Sequence, residues 1–257
     1  MSGMRLPTVR PVVHLVGCLI ALVLVTSSCA PPDVYASGTA QSDDPDALYR
    51  RREDLPSARR AADLWAERAT TDFESAWKLA RTCYWLGTRG VPDERRAVLE
   101  RGVKAGESAA RFEPNRPEGH FWFAANMGIL AQSFGTSQGL KYRSRIKEEL
   151  ERVLAIDPGW QDGSADAALG QRYFKVPRLL GGSRSKAEEH LRRALMYDPN
   201  SRLALSELAD VVAAGGRRDE AIAILRQLIG APVDPDWAPE DTDIKRKAVE
   251  RLKTLER

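Results

Sequence analysis

Small and apolar residues recur at helical spacing along most of this chain. In the stretch 169–200, Ala187, Leu191, Ala194 and Leu195 fall at i, i+4, i+7 and i+8, which places them in one stripe on one face of an α-helix. Pro199 ends that helix, since its ring blocks a further turn. Ser185 and Glu188 have the S-x-x-E spacing of a capping box, so the pattern predicts a helix start near Lys186. Upstream, Leu169 and Tyr173 lie one turn apart on a partner helix, and Gly170 between them leaves room for close contact. The two helices form a hairpin.

The hairpin recurs. The motifs RFEPN, AIDPG, MYDPN and GAPVD put prolines at 114, 158, 199 and 232, spaced by 44, 41 and 33 residues. This resembles the tetratricopeptide repeat, whose period is about 34 residues and whose second helix ends at a proline. Aligned on the prolines, the second helices offer Ile146, Leu150 and Val153, then Ala187, Leu191 and Ala194, then Ala221, Leu225 and Leu228. The first helices offer Trp77, Ala80 and Tyr84; Trp122, Ala125 and Ile129; Leu169, Gly170 and Tyr173; and Leu208, Ala209 and Val212. In the earliest unit the second helix carries Gly102, Gly106 and Ala109, which permits close helix contact at about 1 kcal/mol of helix propensity per glycine. Residues 128–145 and 175–185 exceed the repeat length and read as loops or short helices folded onto the array. Single amphipathic helices at 56–69 and 242–256 would cover the two ends, the latter capped by Asp241 or Thr242. No strand-like alternation interrupts the pattern. The expected fold is all-α: a solenoid or closed bundle of tetratricopeptide-like hairpins over residues 56–257, with insertions and capping helices.

The segments EGHFWFAANMG, LGQRYFKVPRLLGGSRSKAEEHLRRAL and DPNS resemble the T component of TRAP transporters, the TatT-like family of lipidated repeat proteins, over roughly residues 73–234. That resemblance implies a bundle around a channel or cavity that docks a periplasmic solute-binding protein.

The N-terminus adds an address. Residues 1–28 hold two arginines, Arg5 and Arg10, an apolar run VVHLVGCLIALVLV and then Thr26, Ser27 and Ser28, the three parts of a signal peptide. VTSSC, ending at Cys29, resembles the lipobox of bacterial lipoproteins, which implies acylation of Cys29, with Thr26 standing where leucine is usual. A soluble secreted protein and a retained membrane helix are the alternatives. Residues 29–55 are then a lipidated cysteine and flexible tether, rich in Pro, Ser, Gly and Asp to residue 47. The expected place is the bacterial cell envelope, periplasmic and lipid-anchored, at the outer membrane because Ala30 replaces the aspartate of the retention signal.

Net charge is +3 over the whole chain and 3 − 2 = +1 beyond the leader, which gives no electrostatic case for nucleic acid. Three cysteines build no disulfide framework. His120 and His190 lack neighbours at metal spacing, GGSRSK lacks a phosphate-loop pattern, and Cys83 reads as a core thiol. The sequence therefore predicts no enzyme, metal or cofactor. Of the 18 aromatic residues, 13 lie between Phe73 and Phe174. Trp122 and Tyr173 hold repeat-core positions, whereas Trp85, Phe121 and Phe123 lie off them. Together with Phe174 these six are the candidates for a ligand or partner surface. The expected function is a lipid-anchored scaffold for a protein partner in the envelope. The alternative is a transporter accessory handling a small hydrophobic or carboxylate ligand, and self-association stays open.

Overall fold

A computed structural model describes residues 44–257; the leader, Cys29 and most of the expected tether lie outside these residues. The described residues form α1 (Pro45–Arg50), α2 (Leu55–Ala66), α3 (Phe73–Arg89), α4 (Arg95–Phe112), α5 (Pro117–Ser133), α6 (Thr136–Ile156), α7 (Ser164–Lys175), α8 (Arg184–Tyr197), α9 (Arg202–Ala214), α10 (Arg218–Gly230) and α11 (Ala238–Leu255), with three short 3-10 turns and no strand among them. Four hairpins, α3/α4, α5/α6, α7/α8 and α9/α10, stack in order, so the fold is the expected all-α repeat solenoid. Pro114, Pro158, Pro199 and Pro232 each stand two residues past the end of a second helix. No described helix is long and apolar enough to cross a membrane.

The aligned stripes make the core. Val153, Ala187, Leu191, Ala194, Ala221, Leu225 and Leu228 are completely buried, and sealing one leucine from water stabilises the fold by about 1.5–3 kcal/mol. Where helices approach most closely, side chains shrink to hydrogen. A methyl group on Gly170 would sit 2.5 Å from Leu191 Cγ, and one on Gly106 would sit 2.6 Å from the Phe123 Cα. Both distances are impossible contacts, so these glycines set the spacing of α7 on α8 and of α4 on α5.

Four local expectations are corrected. The folded part starts before residue 56: Asp44 accepts from the amides of Asp46 and Ala47, and Leu48 and Tyr49 bury against Ala61, so α1 occupies residues assigned to the tether. The α8 cap is Ser183, whose hydroxyl accepts from Lys186 N at 3.3 Å, which frees Glu188 for arginines. The extra residues at 128–145 lengthen α5 and α6 to 17 and 21 residues around a break at Gly135, whose φ of +83° suits glycine. Last, α11 begins at Ala238, ahead of Asp241 and Thr242, because Pro239 fits the first turn of a helix.

Glu188 ties α8 to the start of α10. It accepts from Arg217 Nη1 at 2.9 Å and Nη2, and from Arg192 Nε and Nη2 at 3.0 and 2.8 Å. The Arg217 hydrogen bonds, above all, hold its carboxyl at about 2, below the ordinary 4.5. A lowered carboxylate value favours the folded state above the ordinary value, and that share is lost as pH falls from 4.5 towards about 2. Urea unfolding of Glu188→Gln will show a shallower loss of stability across this window than the wild type; equal slopes would remove the network from the account.

Candidate functional site

The first helix of each hairpin has two faces. In α5, Phe123, Asn126, Met127 and Leu130 are buried, and Ala125, Gly128, Ile129 and Gln132 turn the other way, onto a cavity of about 810 Å³. That volume lies within the range of ligand pockets, about 300–1,000 Å³. The end of α3, α5, α7, the start of α9 and α11 all contribute to its lining. Ala124, Ala125, Gly128 and Ala131 on α5 and Ala167 and Ala168 on α7 form a floor with almost no side chains. A methyl group on Gly128 would have nothing within 4 Å. Packing therefore does not require this glycine, unlike Gly106 and Gly170.

The remaining side is closed by α11. Its C-terminal half belongs to the array: Ala248 is completely buried, and Arg251 donates to Ser206 and to Asp210 Oδ1. Its beginning reaches the opposite end of the solenoid. Arg52, 5% exposed, donates to the carbonyl of Asp236 at 2.6 Å and to Glu240 Oε2 at 2.9 Å. Arg89 pairs with Asp243 at 3.2 Å, Arg202 pairs with Asp241, and Trp237 packs on the N-terminal core. Burial raises the Asp241 carboxyl above its ordinary value in spite of Arg202. The trough is thus strapped shut by polar contacts at one end of a single helix.

The cavity gathers Trp85, Phe121 and Trp122 from the six aromatic candidates and leaves out Phe123, Tyr173 and Phe174. Phe121 keeps a partly exposed ring between Trp122 and Trp160, with centroids at 5.1 and 4.9 Å. Trp85 and Phe123 were expected off the core and are instead 3% and 5% exposed. The reason is local: the Trp85 indole donates to the Arg52 carbonyl at 2.8 Å, and the Phe123 backbone lies against Gly106 with its side chain in the core cluster. Tyr173 stacks on His190 at 5.3 Å, and Phe174 packs on the core. Trp122 is 2% exposed, and its buried indole N–H has no partner among the described residues. Sequence reasoning missed Gly128, Gln132, Gln171, Tyr197 and Trp237 in the lining. A glycine in mid-helix without a repeat role was the one available signal.

Other candidate chemistry is taken up by the fold. Cys83 is completely buried, and burial pushes its thiol up to about 12, the opposite of an activated nucleophile. His120 lies 2.5 Å from Glu149 Oε2 and 3.1 Å from the Pro114 carbonyl, and His190 lies 2.6 Å from Asp166. Among the described residues no group of three or more His, Cys, Asp or Glu converges as a metal site.

Comparison with known proteins gives two family matches: the model described as Regulator of microtubule dynamics protein 1-3 matches residues 43–179, a little over half of the chain, and a tetratricopeptide repeat model matches residues 180–239. Regulator of microtubule dynamics protein 1 of Caenorhabditis elegans is 27% identical over 82 residues, which are 32% of this chain and 36% of that protein. The match thus spans about a third of the relative's length. The crystal structure of a thermophilic TPR protein from Thermus thermophilus superimposes with a TM-score of 0.61 at 22% identity, covering 82% of this chain and 99% of that one. At this identity the likeness is one of fold.

If the strap depends on Arg52, its removal must loosen the start of α11 first. Hydrogen exchange of Arg52→Ala will show protection lost across residues 235–243 before the hairpins α7/α8 and α9/α10 are affected. Truncating one partner of a buried pair costs about 3–5 kcal/mol, so overall stability falls as well. Unchanged exchange in 235–243 would show that Arg52 does not hold the strap.

Proposed function

The chain belongs to the Regulator of microtubule dynamics protein 1-3 family, and from that premise we propose that its trough receives a segment of a partner protein, as a scaffold without chemistry of its own. Tetratricopeptide-type arrays mediate contacts between proteins, and a stacked repeat offers its concave side as the extended surface for them. The observation that carries the reading is the cleared floor at Gly128. Helix propensity disfavours glycine there by about 1 kcal/mol, no neighbour demands it, and what it leaves open is space inside the trough. Around that floor stand Tyr84, Phe121 and Trp122, rings that supply apolar area to an inserted side chain.

The pattern of residues 12–29 supports display of this domain from a membrane surface by an acylated Cys29, in the envelope and at its outer membrane. That part of the proposal rests on sequence. A mature chain beginning at acylated Cys29 in intact-mass measurement is the expected result, and a chain that keeps its first 28 residues would remove the anchor.

Two narrower roles share the same trough. An accessory of the TRAP T-component kind is favoured by a cavity sized for a small ligand, and genes for a solute-binding protein and permease beside this one would support it. The activity in the worm relative's name is a proposal resting on family membership, tested by co-sedimentation with polymerised tubulin.

The scaffold reading is tested by filling the floor. Gly128→Leu will leave thermal stability equal or slightly higher, because a good helix former replaces glycine in open space. The same variant will lose the partner that the wild-type chain captures from envelope extract at stoichiometric yield. Equal capture by both proteins would move the binding surface elsewhere.

A further inference from the structure

The lining of the trough is uneven in charge. Where the first helices begin and the second helices end, it carries Asp162, Asp198 and Asp234 together with Tyr197, Leu203 and Val233. These three apolar side chains remain 48%, 40% and 46% exposed, which makes this mouth an apolar rim dotted with carboxylates. None of the three aspartates pairs with a cation among the described residues. Asp198 and Asp234 accept from the backbone amides of Asn200 and Asp236 at 2.8 and 2.9 Å, and those bonds leave their charge uncompensated. The Asp234 charge is also felt at Asp241, adding to the effect of burial there. Most other charges of the lining are engaged: Arg202 with Asp241, Arg89 with Asp243, Glu240 with Arg52 and Lys175 with Glu207. Arg172, towards the far end of α7, donates to the Arg143 carbonyl. Lys247 on α11 is the exposed cation of the lining without an ion pair among the described residues.

The geometry points to a particular occupant: a partner segment that combines lysine or arginine with aliphatic side chains and enters the trough at this mouth. The inference rests on the reading of the trough as a protein-binding site and adds the chemistry of the partner. Aliphatic groups cover Tyr197, Leu203 and Val233, and the cations meet Asp162, Asp198 and Asp234. Charge complementarity of this kind steers approach and rejects a segment of the wrong sign. Because the rim carboxylates face water, the preference weakens as salt is added.

The test uses the full chain and three dye-labelled synthetic peptides of equal length, in which leucine is combined with lysine, glutamine or glutamate, read by fluorescence anisotropy. The lysine peptide is expected to bind about tenfold or more tightly than the glutamate peptide, the sum of three modest rim pairs. Added salt narrows the gap. The triple variant Asp162→Asn, Asp198→Asn, Asp234→Asn is expected to bring the lysine peptide down to the level of the glutamine peptide. Asparagine keeps the acceptor that the turns at 198 and 234 use, and it tolerates the left-handed φ of +54° at position 162. Equal affinity for the lysine and glutamate peptides, no binding of the lysine peptide, or a preference that survives the triple variant would each overturn the inference. Gly128→Leu separates the two levels of the argument. If it abolishes glutamine-peptide binding while no charge preference exists, the trough stands and its acidic mouth does not. If the lysine peptide binds this variant as it binds the wild type, attraction is on the outer surface and the inference fails.

Discussion

No described helix of this chain can cover its own apolar stripe. Most described helices have between 12 and 21 residues, and helices of this length hold together in water mainly by packing against something else. Each is covered by the next, and the sequence of coverings becomes a solenoid. The seams run on small side chains. Ala187 and Ala194 of α8 and Ala221 of α10 are completely buried, and glycine at 106 and 170 brings neighbouring backbones within a distance that a methyl group would prevent. The two ends of such a stack must still be finished. Here α1 and α2 finish one, and α11, after its start has crossed the opening, finishes the other with its C-terminal half.

The division of each first helix into two faces follows from that coverage. Residues turned towards the second helices are claimed by the core, so Phe123 and Tyr173 are structural despite their aromatic rings. Residues turned inward escape the demand for close packing, and this is where Gly128, Gln132 and Gln171 sit. Trp85 belongs to both groups, since its ring borders the trough and its indole N–H holds the link between α1 and α2.

Periodicity made the repeats legible, because every aligned second-helix residue from Ile146 to Leu228 is buried and every marker proline ends a helix. It failed where a contact joins residues far apart. Arg52 and Glu240 are separated by 188 positions, and nothing in either neighbourhood announces their meeting. The inward faces were also poorly legible. Ala125 and Ile129 match repeat positions by alignment, yet in the lengthened α5 they border the cavity, because Phe123, Met127 and Leu130 bury the opposite side. At the α8 start two serines stood two residues apart, and tertiary placement of Glu188 beside Arg217 decided for Ser183.

The placing of the tryptophans has an optical consequence. Of six in the chain, Trp85, Trp122 and Trp237 border the cavity, one from each of α3 and α5 and one just before α11. Indole emission shifts with the polarity around the ring, so half of the molecule's indoles report from the wall of its own interior. The protein carries a native dye for that compartment, and its colour registers whether the space holds water or something drier.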